Sequence, residues 1–553
     1  MYAANEAFEK VASYGLMPNM ILYLMRDYGL EMTTGTNILY MWSAATSFMP
    51  LIGVVLSDSY FGRFQMIGFG SIASLLGMIL IWLTAMIPQA RPPPCDQSAQ
   101  SCQSPTFSQL SLLCSSFLLM SIGSGGIRSS SAAFGLDQLY KGNINLGTKR
   151  TLESFFCWYY TAATVSALIA LTCIVYIQDH LGWKVGFGVP AIFMFLSTLS
   201  FFWASPWYVK LEANRSLFVG LAQVVVAAHR NRHVELNSSK NTDLKLYYNN
   251  VESNLKAPTE KLRFFNKACI ITSPEKNYNP WSICTVDQVE ELKAIIKVIP
   301  LWSTGILMSV SMNQGSFPLL QANSMDRCIT SKFEIPAGSF GVFTVVAIVI
   351  WLPLYDRIIL PLASKIMGKP VCLSARKRMG IGLLLSCMSM AVSAIVESHR
   401  RRTAVLKGFS DDPKVSVSMS AMWLVPQHCL GGFADCFNAV GQSEFYISEF
   451  PESMTGIASN LCGFGMSIAN LLASFILSTV NNITRRGGRE SWVSTDINKG
   501  HFDYYYWLLA ALGLVNFVYF LVCCKAYGPR GGERFNVRHE EEDMTGQYSP
   551  IHV

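Results

Sequence analysis

Glu6, Glu9 and Lys10 stand within the first ten residues, at spacings of three and four that put them on one face of a helix. Two carboxylates beside one ammonium cannot all be neutralised by each other, so one glutamate should hold a proton unusually tightly. A charge at the centre of a membrane span costs about 2.5–3.5 kcal/mol, so such residues face a cavity and pair with one another. Their chemistry would be proton uptake and release; the bland reading is a set of first-turn acids just outside the membrane. A second cation, Arg128, closes Gly123-Ser124-Gly125-Gly126-Ile127 after an apolar run long enough to cross a bilayer. There it must meet a carboxylate, an anion or water, or else snorkel to the surface. A third cluster, Asp58, Gly62 and Arg63, sits in a glycine-punctuated turn that suits a lock between two helix ends, or a plain polar turn with a basic anchor.

These charges matter because of what surrounds them. The chain has 553 residues, 51% hydrophobic and 14% charged, against about 25% charged in an average soluble domain. Its apolar residues fall in runs near the roughly 20 residues that span a bilayer. Twelve such runs are read, at about 4–25, 38–56, 66–87, 108–130, 154–176, 185–206, 292–313, 338–355, 378–396, 417–440, 456–479 and 503–524. The predicted fold is an all-α membrane protein of twelve transmembrane helices in two six-helix halves, the major facilitator architecture. Its parts are an N-terminal bundle (1–206), a linker (207–291), a C-terminal bundle (292–524) and a tail (525–553). No basic region precedes the first apolar stretch, so no signal peptide is read and the first span serves as its own insertion signal.

Eleven basic residues from Lys210 to Lys276 make the linker cytoplasmic, and even numbering puts both termini on the same side. Arg400, Arg401, Arg402 and Lys407 then fall in an outside loop, against the positive-inside tendency. The amphipathic stretch from Val286 to Lys297 reads as a helix on the membrane surface rather than part of a folded domain. Of three glycosylation sequons, those at Asn214 and Asn237 lie on the linker, leaving only Asn482 usable.

Among fifteen cysteines no pair has metal or redox spacing. Cys95 and Cys102 suit a disulfide or two free thiols about equally. Cys523 and Cys524 read as packed thiols ahead of a palmitoylation site. Without a Ser/His/acid set, metal spacing or phosphate loop, no enzyme and no cofactor is indicated. The +7 net charge sits mainly in loops and speaks for membrane orientation, not nucleic acid.

Asn5-Glu6-Ala7-Phe8-Glu9-Lys10 resembles the E-x-x-E-R/K motif of the proton-coupled oligopeptide transporter family. So do Gly125-Gly126-Ile127-Arg128 with Phe134-Gly135-Leu136-Asp137-Gln138, and Glu153 with Trp158-Tyr159-Tyr160. Wording such as Trp42-Ser43-Ala44-Ala45, Pro336-Ala337-Gly338-Ser339-Phe340 and Glu490-Ser491-Trp492-Val493 resembles its plant nitrate/peptide branch, nearest the subfamily with low-affinity nitrate transporters of the phloem. The resemblance covers essentially the whole chain and is specific for family, much less so for substrate.

It implies that Glu6, Glu9 and Lys10 form the proton-coupling motif. It also implies that Arg128 holds the place of a span-four lysine that pairs with that motif or with substrate. An arginine there stays protonated and has a rigid fork, which suits a bidentate anion better than a proton relay. The turn of Asp58, Gly62 and Arg63 resembles a major facilitator gate motif, to which Asp137 also belongs. In span ten Asp435 stands where many relatives have glutamate. In span seven Met312 stands where the best-studied nitrate carriers have histidine, so Arg128 becomes the chief anion ligand, with Asn313, Gln314 and Ser316 as neutral donors. Met66 replaces a phosphorylatable threonine, Ser129 a proline and Leu136 an alanine. The chain also opens almost at the first motif, which reads as a shortened start.

The expected function is a proton-coupled symporter of a small anion, low-affinity nitrate first, in the plasma membrane, with protons, anion and lipid as its partners. A larger organic anion such as gibberellin, mildly favoured by Met312, Trp158, Tyr159 and Tyr160, and di- or tripeptides are the alternatives within transport. A nutrient receptor that binds without moving solute is the alternative from another class.

Overall fold

This computed structural model describes residues 2–93, 104–139, 149–210, 217–233, 247–248, 257–271, 279–330, 333–368, 373–408, 416–451 and 454–527. Within them, the side chains of residues 2–6, 139, 149–153, 217–218 and 455–459 are not described. Cys95, Cys102, Asn214 and Asn237 therefore lie outside the described residues, as does the tail beyond Tyr527.

The chain is an all-α bundle of the major facilitator type, and each of the twelve apolar runs lies mainly in helix, the tenth beginning in the strand Val417–Ser420 before the helix from Val425. Span one breaks into Tyr2–Leu16 and Met20–Arg26 around Pro18, which can neither donate to nor fit the preceding turn. Span two runs Met32–Leu56 and widens into a π-turn, Ser57–Phe61, before Gly62, whose φ of 77 only glycine adopts cheaply. Spans three and four are Arg63–Met86 and Phe107–Leu139. Span five runs from Lys149–Ile169 through a π-turn to Val175–His180, and span six is Gly182–Trp203.

Span seven is Val286–Met312, broken at Asn313–Gly315 and resumed as Ser316–Asn323. Span eight strings Ala337–Gly341, Val342–Leu354, Tyr355–Ile359 and Leu360–Met367 together. Spans nine to twelve are Ala375–Leu406, Val425–Glu449, Thr455–Thr484 and Phe502–Tyr527. Ten of these helices are apolar and long enough to cross a membrane by length and composition alone. The other two are span one, broken at Pro18, and span ten, whose apolar character is diluted by Gln427, His428, Asp435 and Gln442.

Two sequence readings are corrected by helix length. Val286–Lys297 is not a surface helix but the base of span seven, started by a capping box in which the Thr285 hydroxyl accepts from the Gln288 amide. It belongs to a small packed unit of the linker. There the helix Leu217–Arg230 lays Val224, Ala227 and Ala228 on Ala268, Cys269, Cys284, Val286 and Val289. Arg400, Arg401 and Arg402 do not stand in a loop either, because span nine stays helical through Leu406 and Lys407 caps it. The apolar run ended earlier than the helix because the last turns bury polar partners instead of lipid-facing side chains.

Each half packs within itself, spans three on four and nine on ten most extensively, and spans two and eleven form a seam between the halves. The N-terminal half closes tightly where small residues remove side chains. A Cβ on Gly126 would lie 2.6 Å from the Met66 carbonyl oxygen, and one on Gly125 2.7 Å from Met49 Cβ. This contact fixes span four, and with it Arg128, against spans two and three. Away from the linker, short strand pairs cap the bundle, Met325–Asp326 with Val417–Ser420 and Cys328–Thr330 with Phe333–Glu334.

Candidate functional site

The charges of span one are the first to be placed. Glu9 and Lys10 are both buried, at 3% and 8% exposure. The Ser13 hydroxyl donates to Glu9 Oε1 at 2.7 Å, and Lys10 Nζ lies 3.7 Å from Glu9 Oε2. The structure thus removes the reading of first-turn acids in water for these two. The Glu6 side chain lies outside the described residues, so its sharing of their face rests on the three-residue spacing.

Arg128 is exposed to a cavity of about 430 Å³ between the halves, lined among others by Tyr14, Ser124, Met312 and Asn313. Among the described residues it makes no ion pair with any carboxylate, and that includes Glu9. Ser129 does not end the helix here: its hydroxyl bonds back to the Gly126 carbonyl at 3.1 Å and the helix continues through Leu139.

A second cavity, of about 460 Å³, lies on the C-terminal side and is lined by Met312, Gln314, Gln427, His428, Asp435 and Tyr506 among others. Tyr14, Met17, Pro18, Met312 and Gly315 border both, so the two are lobes of one central space. Asp435 has no hydrogen bond or ion pair among the described residues. Asn313 Nδ2 donates to Asn470 Oδ1 at 3.4 Å. Gln314 is more committed than its sequence position suggested. Its carbonyl accepts from Tyr40 OH at 2.7 Å and Tyr505 OH at 3.3 Å, while its amide donates to the Val310 carbonyl at 2.7 Å. It ties the broken part of span seven to span two of the other half.

That bond has company. Arg26 donates to Asn323, Asn37 exchanges hydrogen bonds with Ser474 and Ser478, the Met32 amide donates to Thr495, and Arg327 lies 3.7 Å from Asp179. Among the described residues these hydrogen bonds and ion pairs between the halves run from Ser467–Ala44 near mid-span outward. The face away from the linker is the sealed one.

The residues expected to form a gate come together only in part. Arg63 Nη1 donates to both Asp137 oxygens, at 2.6 and 2.8 Å, and Asp137 is 6% exposed. Gln138 exchanges hydrogen bonds with the backbone of Val209, so the end of span four is tied to both neighbouring segments. Asp58, in the π-turn, has no ion pair among the described residues. Trp158 and Tyr160 point outward at 73% and 63% exposure, and Tyr159 shares a hydrogen bond with Ser131. They line neither lobe. Cys523 is buried and Cys524 packs beside it in the C-terminal core, as the packed-thiol reading expected.

Two groups were missed by sequence reasoning. Glu397 and Arg400 form a buried pair in span nine, both at 0% exposure, with Arg400 Nε and Nη2 on the two carboxylate oxygens at 2.9 and 2.8 Å. Their three-residue spacing was the available signal. His428 lines the C-terminal lobe, and its spacing of seven from Asp435, two helical turns, would have placed both on one face.

Residues 64–493 match the model of the POT family. Two proteins of Arabidopsis thaliana, NRT1/PTR FAMILY 1.2 and NRT1/PTR FAMILY 1.1, are each 54% identical to the chain. The first match covers 98% of this chain and 92% of the relative, the second 98% and 94%. The fold is similar to that of an auto-inhibited POT family peptide transporter, with a TM-score of 0.69 at 17% identity over 96% of this chain and 97% of that one. It is similar to the POT family transporter PepTSo with a TM-score of 0.70 at 16% identity, over 95% and 97%.

Proposed function

The chain belongs to the POT family, a multi-pass proton-coupled transporter and not an enzyme, and from that premise we propose that it is a proton symporter of a small anion, nitrate, in the plasma membrane. The observation that carries the cargo is Arg128, a guanidinium inside a helical bundle, facing a cavity, with no carboxylate paired to it among the described residues. An unpaired charge in such a site is costly, and a bound anion relieves the cost. The planar fork of arginine matches two oxygens of a planar oxyanion.

Glu9 and Lys10 supply the proton step. Protonation of the buried Glu9 removes a negative charge 3.7 Å from Lys10 Nζ and changes the balance of charge around the cavity. With the linker in the cytoplasm, the sealed face is the outer one and the arrangement is inward-facing. Proton and anion drive inward transport only if they bind the outward- and inward-facing states with different affinity.

The test is uptake of isotope-labelled nitrate by a heterologous cell at acidic and neutral outside pH. Wild type should accumulate nitrate only with the inward proton gradient, and Glu9→Gln should abolish accumulation while leaving the protein at the surface. Undiminished accumulation by Glu9→Gln would remove Glu9 from coupling. A second reading is supported by cavity size, since lobes of about 430 and 460 Å³ exceed the needs of nitrate and fall within the range of drug-sized ligand sites. Gibberellin offered in place of nitrate separates the two cargoes.

A further inference from the structure

A carrier that rocks two halves around a central site needs its cargo to touch both, because contacts confined to one half are the same in every state. Arg128 belongs to the N-terminal half. The C-terminal lobe offers an anion few free donors. The Ser389 hydroxyl is spent on the Gln427 carbonyl, that of Ser393 on the Ser389 carbonyl and that of Tyr506 on Gln321 Oε1.

His428 is different. Its Nδ1 is 3.2 Å from the Thr344 hydroxyl, whereas its Nε2 is buried and has no hydrogen-bond partner among the described residues. When the Thr344 hydroxyl donates to Nδ1, the imidazole proton sits on Nε2 as an unused donor. A buried donor without a partner costs stability unless some state of the protein supplies an acceptor.

The location suits that acceptor being the cargo. Gly431, one turn after His428, has no side chain, and Met312 Cε lies 3.6 Å from where its Cβ would stand. Met312 borders both lobes, so the His428 face of span ten meets the space that Arg128 lines. Asp435, two turns further along the same helix, keeps this lobe from holding an anion by charge alone, which leaves a neutral directional donor as the fitting ligand.

We infer that the Nε2–H of His428 is the C-terminal half's ligand to the transported anion, taking one oxygen while Arg128 takes the others. This rests on the anion reading above. It assigns to span ten a contact that Met312 cannot make from span seven.

Three proteins decide it: wild type, His428→Asn and His428→Gln. Asparagine reproduces the Nδ1 position and keeps the Thr344 partner but removes the Nε2 donor, while glutamine places an amide donor near Nε2. Nitrate uptake should show a KM raised by about tenfold or more in His428→Asn with the maximal rate nearly unchanged. His428→Gln should recover most of the affinity. Nitrate-dependent thermal stabilisation of the purified proteins gives the same ranking for any variant that reaches the membrane poorly. Equal KM in wild type and His428→Asn, or equal losses in both variants, overturns the assignment while nitrate remains the cargo. Absence of nitrate uptake by wild type instead overturns the cargo, and the assignment to His428 with it.

Discussion

Arg128 and Arg400 are both arginines within transmembrane helices, and their surroundings are opposite. Arg400 is wholly buried, with Glu397 on two of its nitrogens, Asn498 Oδ1 on Nη1 at 2.8 Å and the Ile497 carbonyl on Nη2 at 3.0 Å. Glu397 in turn accepts from Gln321, whose carbonyl takes Tyr506. The network joins spans seven, nine and twelve to the segment before span twelve, on the sealed face. Arg128 faces the cavity and has no ion pair among the described residues. One cation is consumed by structure and the other is left available. In a membrane an unpaired charge is retained only where it has work to do.

The comparison is broken most sharply by removing each arginine in turn. Arg128→Gln should lower nitrate uptake by on the order of 100-fold, from the loss of a charge-assisted bidentate contact, and should leave thermal stability of the detergent-purified protein nearly unchanged. Arg128→Lys should retain part of the activity, because the charge stays and the fork is lost. A variant that loses stability along with uptake would give Arg128 a structural role and dissolve the contrast.

The complementary change, Arg400→Gln, should act on folding first. It strands the Glu397 carboxylate in a site with no exposure, at a cost of about 3–5 kcal/mol, read as a fall in melting temperature and in surface expression. Replacing both members, Glu397→Leu with Arg400→Met, should restore much of that stability, since an apolar pair leaves no orphaned charge. If the double variant is as unstable as the single one, the hydrogen bonds to Asn498 and Gln321 matter more than the ion pair.

The same two residues show how far the sequence could be read. Arg128 was legible because it follows a mainly apolar run that carries no other charge, and hydropathy alone makes such a charge conspicuous. Arg400 was misread as a loop residue because Glu397, Arg400, Arg401 and Arg402 end the apolar run, although the helix continues through Leu406. Hydropathy reports contact with lipid, and the end of span nine contacts protein instead. The linker was misread for a related reason: the pattern from Val286 onward is amphipathic whether its apolar face meets lipid or Val224 and Ala228. His428 was passed over because one polar residue in a span has no periodicity of its own. Its meaning came from Thr344, eighty-four residues earlier in the chain.

Both arginines belong to halves joined along a seam, and one of its buried polar contacts is the bond from Tyr40 to Gln314. Tyr40 is 4% exposed and donates across the halves at 2.7 Å, while Tyr505 reaches the same carbonyl from within the C-terminal half at 3.3 Å. Tyr40→Phe removes only the contact between halves, and Gln314 keeps Tyr505. The loss should be about 1 kcal/mol, enough to shift the balance between sealed and open outer faces by about fivefold. A cysteine placed at Ser47, which lines the central cavity two turns inward of Tyr40, should therefore react faster with a membrane-impermeant thiol reagent in Tyr40→Phe than in the otherwise identical parent. Tyr505→Phe, which touches no bond between halves, should leave that rate unchanged. Equal rates in all three would mean that the outer seal is held by the contacts of Arg26, Asn37 and Arg327, with Gln314 serving only to hold the break in span seven.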